Sequence, residues 1–145
     1  MSAYSEKAVE LFNGGFNCGQ SVFAAMSEKY GMSKETALKA AGGLGGGMRC
    51  GEVCGAVSGA VLIIGLKYGQ YIEGDQESKS KCNGETAAFI ERFRKENGKI
   101  LCRDILGCDI SVKDGMEKAK RDNLFKTTCI SMITSAVRVL EEMGY

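Results

Sequence analysis

Gly42-Gly43-Leu44-Gly45-Gly46-Gly47-Met48-Arg49 leads into Cys50-Gly51-Glu52-Val53-Cys54-Gly55-Ala56-Val57-Ser58-Gly59-Ala60-Val61-Leu62-Ile63-Ile64-Gly65-Leu66, and this stretch sets the architecture. Val53 to Leu66 carries no charge, yet it falls short of the roughly 20 apolar residues that a membrane-spanning helix needs. It reads as the Gly-rich central helix of a bundle, with no membrane insertion. Wound as a helix from Cys50, it places Cys50, Cys54, Val57, Val61 and Ile64 on one face, because steps of three and four stay on one side of a 3.6-residue turn. Gly51, Gly55 and Gly59 then form a stripe beside that face. A glycine inside a helix costs about 1 kcal/mol against alanine, so the repeated spacing predicts that another backbone passes very close. An intrachain helix is the first candidate for that contact, and a homodimer seam is the alternative.

The chain has 145 residues, enough for one domain spanning residues 1–145 with a substantial core. Its net charge of +1 comes from interspersed acids and bases, which gives no electrostatic footprint for nucleic acid. The absence of His removes Ser-His and Cys-His nucleophile pairs, imidazole zinc sites and haem attachment through Cys-x-x-Cys-His. Seven cysteines remain: Cys18, Cys50, Cys54, Cys82, Cys102, Cys108 and Cys129. Met1 to Lys7 shows neither a basic nor an apolar signal region, so the expected location is cytoplasmic. There, cysteines more often do redox or metal chemistry than form structural disulfides.

Ala3, Tyr4, Ala8, Leu11 and Phe12 repeat with helical spacing, and Gly14-Gly15 ends that helix. Asn17 with Gln20 three residues on forms a capping-box pattern, opening a helix to about Tyr30. Cys18 then occupies the first helical position, where free N–H groups and the helix dipole favour a thiolate. Ser33 caps a short helix through Ala41. The glycine run that follows lacks the Gly-Lys-Ser/Thr ending of a phosphate loop and a preceding strand. Close passage and positive φ explain it better. Gly69 to Ser80 reads as an exposed connection, and Lys81 to Asn97 as an amphipathic helix with Ala87, Phe89, Ile90 and Phe93 inward. Cys82, at the start of that helix, is expected to stand apart from the other thiols. Ile100 to Asp109 is a short turn or helix in which Arg103 adjoins Cys102 and could favour its thiolate. Asp114 to Asp122 reads as a charged surface segment. The last helix, to Glu142, carries an inward stripe of Cys129, Met132, Ile133, Ala136, Val137, Leu140 and Met143. No segment alternates with period two. The expected fold is all-α, a single-domain bundle of about five or six helices.

Cys18, Cys54, Cys102 and Cys129 each lie on an inward face or at a helix start, and each comes from a different element. A bundle can gather such residues at one place in its core. Four thiolates are the ligand set of a structural zinc or an iron–sulfur cluster; two or three can instead cycle between dithiol and disulfide. Cys50 and Cys54, one turn apart in this reading, would have Cα atoms about 6 Å apart, which suits co-ligands better than a disulfide.

Cys54-Gly55-Ala56-Val57-Ser58-Gly59 resembles the Cys-Gly-Ala-x-x-Gly motif of a redox-active family named for its scattered cysteines, the C_GCAxxG_C_C family. Asn17-Cys18-Gly19-Gln20 resembles its early Asn-Cys element, Gly42 to Gly47 its Gly-rich approach, and Cys102-Arg103 its later Cys-Arg. Cys129 takes the place of the last shared cysteine. The resemblance implies that Cys18, Cys54, Cys102 and Cys129 are the working residues, catalytic or metal-binding, and that Cys50, Cys82 and Cys108 are extras. The first functional reading is a thiol-dependent oxidoreductase that exchanges electrons with a redox partner protein or a small thiol. A second is an electron-transfer module holding iron–sulfur or another soft metal on the same four cysteines. A third is a helical scaffold whose cysteines are simply packed, as free cysteines often are.

Overall fold

In the computed structural model, which describes residues 1–145, the chain is all-helical. The central segment shows why. The helix Gly55–Tyr68 buries Ala56, Val57, Ala60, Ile63 and Ile64, and Gly55 and Gly59 are buried with them. A helix apolar on every side has to be surrounded, and this one (α4) packs against Cys18–Met26 (α2), Gln76–Asn97 (α5) and Thr128–Glu142 (α8). Ala3–Asn13 (α1) lies across α2 and α8, and Lys34–Ala40 (α3) closes the far side of α2. Two further short helices, Cys102–Leu106 (α6) and Lys113–Arg121 (α7), form an arm beside this bundle.

Eight α-helices and a 3₁₀ turn at Ser27–Tyr30 make nine in all, against the five or six expected. The excess comes from short elements. The 3₁₀ turn continues α2 before Gly31 ends it at φ 86°. The charged segment after Val112 is helical as α7, its Gly115 pressed against the backbone of Asp109 and its Ala119 buried. Starting after its Asp75 cap, α5 begins at Gln76, five residues before the expected Lys81, so the end of the expected connection is helical, and Ala87 is exposed while Phe89 and Phe93 are buried.

The start of the central helix also differs from the expectation. Gly46, Gly47, Met48 and Arg49 have φ of 63°, 62°, 57° and 61°, a full left-handed turn that breaks the chain before α4. A Cβ on Gly47 would collide with the backbone of Glu52, so the turn closes tightly on itself. Gly51, at φ 73°, belongs to this turn and not to the helical stripe. Cys50 is exposed, its Sγ donating to the Gly47 carbonyl oxygen at 3.3 Å, and it does not share a helical face with Cys54. The Cys50–Cys54 co-ligand reading falls with that helix.

The remaining glycines of the stripe do bring another backbone close. A Cβ on Gly59 would stand 2.6 Å from the Gly19 carbonyl oxygen and 3.2 Å from its Cα, and one on Gly19 would stand 2.7 Å from the Leu44 Cβ and 3.2 Å from the Gly55 carbonyl oxygen. Thus α2 and α4 cross almost backbone to backbone within one chain. No helix is long and apolar enough to cross a membrane.

This crossing predicts opposite outcomes for two glycine-to-alanine changes in α4. Gly59→Ala places a methyl against a backbone that cannot yield, and overpacking of this kind costs on the order of 1–3 kcal/mol. Gly65→Ala meets nothing within 4 Å and removes helix-interior glycine entropy, a gain of about 0.4–1 kcal/mol. Denaturant unfolding should separate the two variants on either side of the parent.

Candidate functional site

The site begins at the α2 N-terminus. The Gln20 N–H donates to Asn17 Oδ1 and the Asn17 N–H to Gln20 Oε1, both at 2.9 Å, completing the capping box. The same two side chains reach outward: Asn17 Nδ2 donates to the Gly42 carbonyl oxygen at 3.0 Å, and Gln20 Nε2 to that of Leu38 at 2.9 Å. A Cβ on Gly45 would stand 2.5 Å from the Asn17 Cβ. The glycine loop is therefore seated directly on the cap, with Cys18 as the first residue of α2.

Cys54 is the N-cap residue of α4. It is held by a single antiparallel bridge, Val53 to Leu101, in which the Cys54 N–H donates to the Ile100 carbonyl oxygen at 2.8 Å and the Cys102 N–H to that of Glu52 at 2.7 Å. Cys102 consequently sits at the start of α6. Arg103 locks the same bridge from outside, pairing with Glu52 at 2.7 Å and donating to the Gly51 carbonyl oxygen at 3.3 Å. It does not serve the Cys102 thiolate, as its place in the sequence had suggested. Cys129 is the second residue of α8. Each of the four cysteines thus stands at the start of a different helix.

All four line one cavity of about 290 Å³. It opens between the main core and a small satellite cluster of Cys102, Leu106, Ile110 and Ala119 in the α6–α7 arm. The walls are apolar, from Phe12 and Met132 on the bundle side to Ile105, Leu106, Ile110, Met116 and Phe125 on the arm. Cys50, Cys82 and Cys108 do not line it. Cys82 packs against the main core from α5, whereas Cys108 packs with the satellite cluster.

Within the cavity the sulfurs are not equivalent. The neighbouring Cys54 thiol is the largest influence lowering the Cys18 pKa, and the backbone amides of Gly46, Gly19 and Gly55 add to it; together they outweigh burial and draw it down to about 7. The same proximity, with burial added, pushes Cys54 well up. Burial raises Cys102 to about 11, helped by the charge of the Cys18 thiolate, Asp109 and Cys108. It raises Cys129 to about 12, with Cys18, Cys102 and Cys108 contributing. Gly55 allows the close approach at the centre, since a Cβ there would fall on the Cys18 sulfur. The arrangement is one thiol lowered toward neutral pH beside one raised, with two further raised thiols lining the same cavity. No group of three or more Cys, Asp or Glu side chains is placed to hold a metal ion.

Two contributors escaped the sequence reading. The Gly46 amide reaches Cys18 only because the left-handed turn folds it back. Arg49 is the one charged residue lining the cavity. Its signal was present in the sequence, as the only charge between Lys39 and Glu52.

The cap makes a direct prediction. Asn17→Ala removes the acceptor for the Gln20 N–H and the donor to Gly42, and should cost about 1 kcal/mol or more in denaturant unfolding. Asn17→Asp restores the acceptor but not the donor, and should recover only part of the loss.

The model of the family described as "Putative redox-active protein (C_GCAxxG_C_C)" matches residues 16–143, a span containing all four cavity cysteines. No curated protein and no solved structure matches the chain.

Proposed function

We propose that this chain, which belongs to the C_GCAxxG_C_C family, works as a dithiol oxidoreductase with Cys18 as nucleophile and Cys54 as resolving thiol. The observation that carries this reading is the placement of Cys18 and Cys54 at the adjoining starts of α2 and α4, where Gly55 lets the Cys18 sulfur come close and both thiols line one cavity large enough for a small molecule. A thiol whose pKa lies near ambient pH is the best attacking group, since thiolate fraction and nucleophilicity are balanced there. Cys18 meets that condition, and Cys54, Cys102 and Cys129 do not.

In the reducing direction, the Cys18 thiolate attacks one sulfur of a substrate disulfide. The substrate S–S bond breaks, a mixed disulfide forms on Cys18, and the first thiolate leaves. Cys54 gives up its proton to the departing thiolate and attacks the Cys18 sulfur. The second substrate thiolate leaves, taking a proton from solvent. Two electrons have passed from the Cys18–Cys54 dithiol to the substrate, and the pair is left as a disulfide that a thiol partner must reduce again. Cys102 and Cys129, held protonated, add no negative charge beside the reacting sulfurs. The cytoplasm is the compartment in which such a pair would be returned to its reduced state.

A soft metal or iron–sulfur cluster on Cys18, Cys54, Cys102 and Cys129 is the second reading, favoured by their common cavity. It requires Cys102 and Cys129 to close on the first pair, because the side chains as placed offer no three-ligand group. Metal content and the visible spectrum of protein purified without oxygen distinguish it from the dithiol.

The dithiol reading is tested by the pH dependence of Cys18 alkylation in the reduced chain. Only the thiolate reacts, so the rate should rise with pH through a midpoint near 7, whereas Cys129 should remain slow up to strongly alkaline pH. In Cys54→Ala the largest support of the thiolate is gone, and the Cys18 midpoint should move up. Cys54→Ser, which keeps a hydroxyl donor, should move it less. A Cys18 midpoint above about 8.5, the value of an unperturbed thiol, would remove its nucleophilic role.

A further inference from the structure

We propose that the cavity takes a small disulfide with an apolar body and a single anionic group on the half it presents, the anion resting on Arg49 and a sulfur facing Cys18. This rests on the dithiol reading and names the substrate class for that same site. Arg49 is the sole charged residue of the lining, and no carboxylate faces the cavity. Its guanidinium, on an exposed residue at the cavity rim, makes no ion pair and no hydrogen bond within the chain; Arg94 is also unpaired but lies away from the cavity, and Arg92, Arg103, Arg121 and Arg138 each pair with a carboxylate. An unpaired guanidinium beside an otherwise apolar pocket matches a carboxylate or similar anion, with which it can make two parallel hydrogen bonds.

The backbone shows that this placement is built in. Met48 and Arg49 both occupy the left-handed region, which disfavours L-residues. The turn that carries this strain aims the Gly46 amide at the Cys18 sulfur and holds Arg49 Nη1 3.4 Å from where a Cβ on Gly46 would stand. Guanidinium and thiolate are therefore separated by one glycine. An anion on Arg49 leaves the rest of a small molecule over Cys18, with Phe12, Met116 and Phe125 as walls.

Size fixes the class further. A volume of about 290 Å³ lies at the lower end of ligand pockets, which run roughly 300–1,000 Å³. It accommodates a small molecule, and a disulfide embedded in a folded protein would be kept out by the arm. The exchange balances as before: one substrate S–S bond is broken, two substrate thiols are released, and the Cys18–Cys54 disulfide is formed.

The test uses the full reduced chain near neutral pH and two aromatic disulfides that release coloured thiols, anionic dithiobis-nitrobenzoate and neutral dithiodipyridine. The Cys18-dependent phase is the part lost in Cys18→Ser, which removes the contribution of exposed Cys50. Arg49→Gln should lower the anionic-to-neutral rate ratio about tenfold, the scale of a lost charged hydrogen bond, and Arg49→Lys should restore much of it. In the parent chain, added salt should lower the same ratio, with little effect in Arg49→Gln. A ratio unchanged in Arg49→Gln would overturn the proposed substrate class while leaving the dithiol reading standing. Absence of a Cys18-dependent phase with both reagents would instead overturn the dithiol reading and the substrate class with it.

Discussion

The close crossing of α2 and α4 is the constraint on which the site depends. Gly19 and Gly59 meet with almost no side-chain volume between them, and Gly55 lies against the Cys18 sulfur. Any larger residue at these positions would separate the two helix starts. With the helices this close, Cys18 at the first position of α2 and Cys54 at the cap of α4 are brought to the same cavity, near enough for each to shift the other's pKa. The helix-propensity cost of the glycines is thus offset by a contact that packing of ordinary side chains could not produce.

A second layer of structure makes the paired sulfurs a site. The Val53–Leu101 bridge and the Arg103–Glu52 ion pair pin the α6–α7 arm beside the bundle. The arm contributes most of the apolar wall and leaves space between itself and the core. Its burial keeps Cys102 and Cys129 protonated, so negative charge in the cavity is confined to the Cys18–Cys54 pair. The asymmetry between the two thiols arises from the backbone amides around Cys18 and the mutual influence of Cys18 and Cys54. No histidine and no acidic residue takes part in it.

Much of this was legible in the sequence, and the parts that were not have physical reasons. Asn17 and Gln20 marked their capping box because that pattern is local, and Cys18 followed from it as a first-turn residue. Gly55 and Gly59 announced a close contact through their spacing. The same spacing misled at Gly51 and Cys50, because helical periodicity continues on paper through a segment whose backbone is left-handed. Met48 and Arg49 carry no residue-type signal for positive φ; closure of Gly47 onto Glu52 imposes it. The Asp114–Asp122 region looked like plain surface because α7 buries little beyond Gly115 and Ala119. Arg103 was read by adjacency to Cys102, and only the fold reveals its commitment to Glu52. Four cysteines from four elements could be expected to gather, but sequence could not distinguish a three-ligand cluster from the observed pair with two neighbours.

Which sulfurs join when the protein is oxidised decides whether Cys18 and Cys54 are the working pair. Peptide mapping by mass spectrometry of the full chain, oxidised by a limiting amount of a small disulfide and quenched in acid, reads this directly. The prediction is a Cys18–Cys54 linkage as the dominant product, with Cys102 and Cys129 recovered as free thiols. A dominant bridge between other cysteines, such as Cys102 and Cys108, or recovery of Cys18 and Cys54 unlinked, would contradict the account.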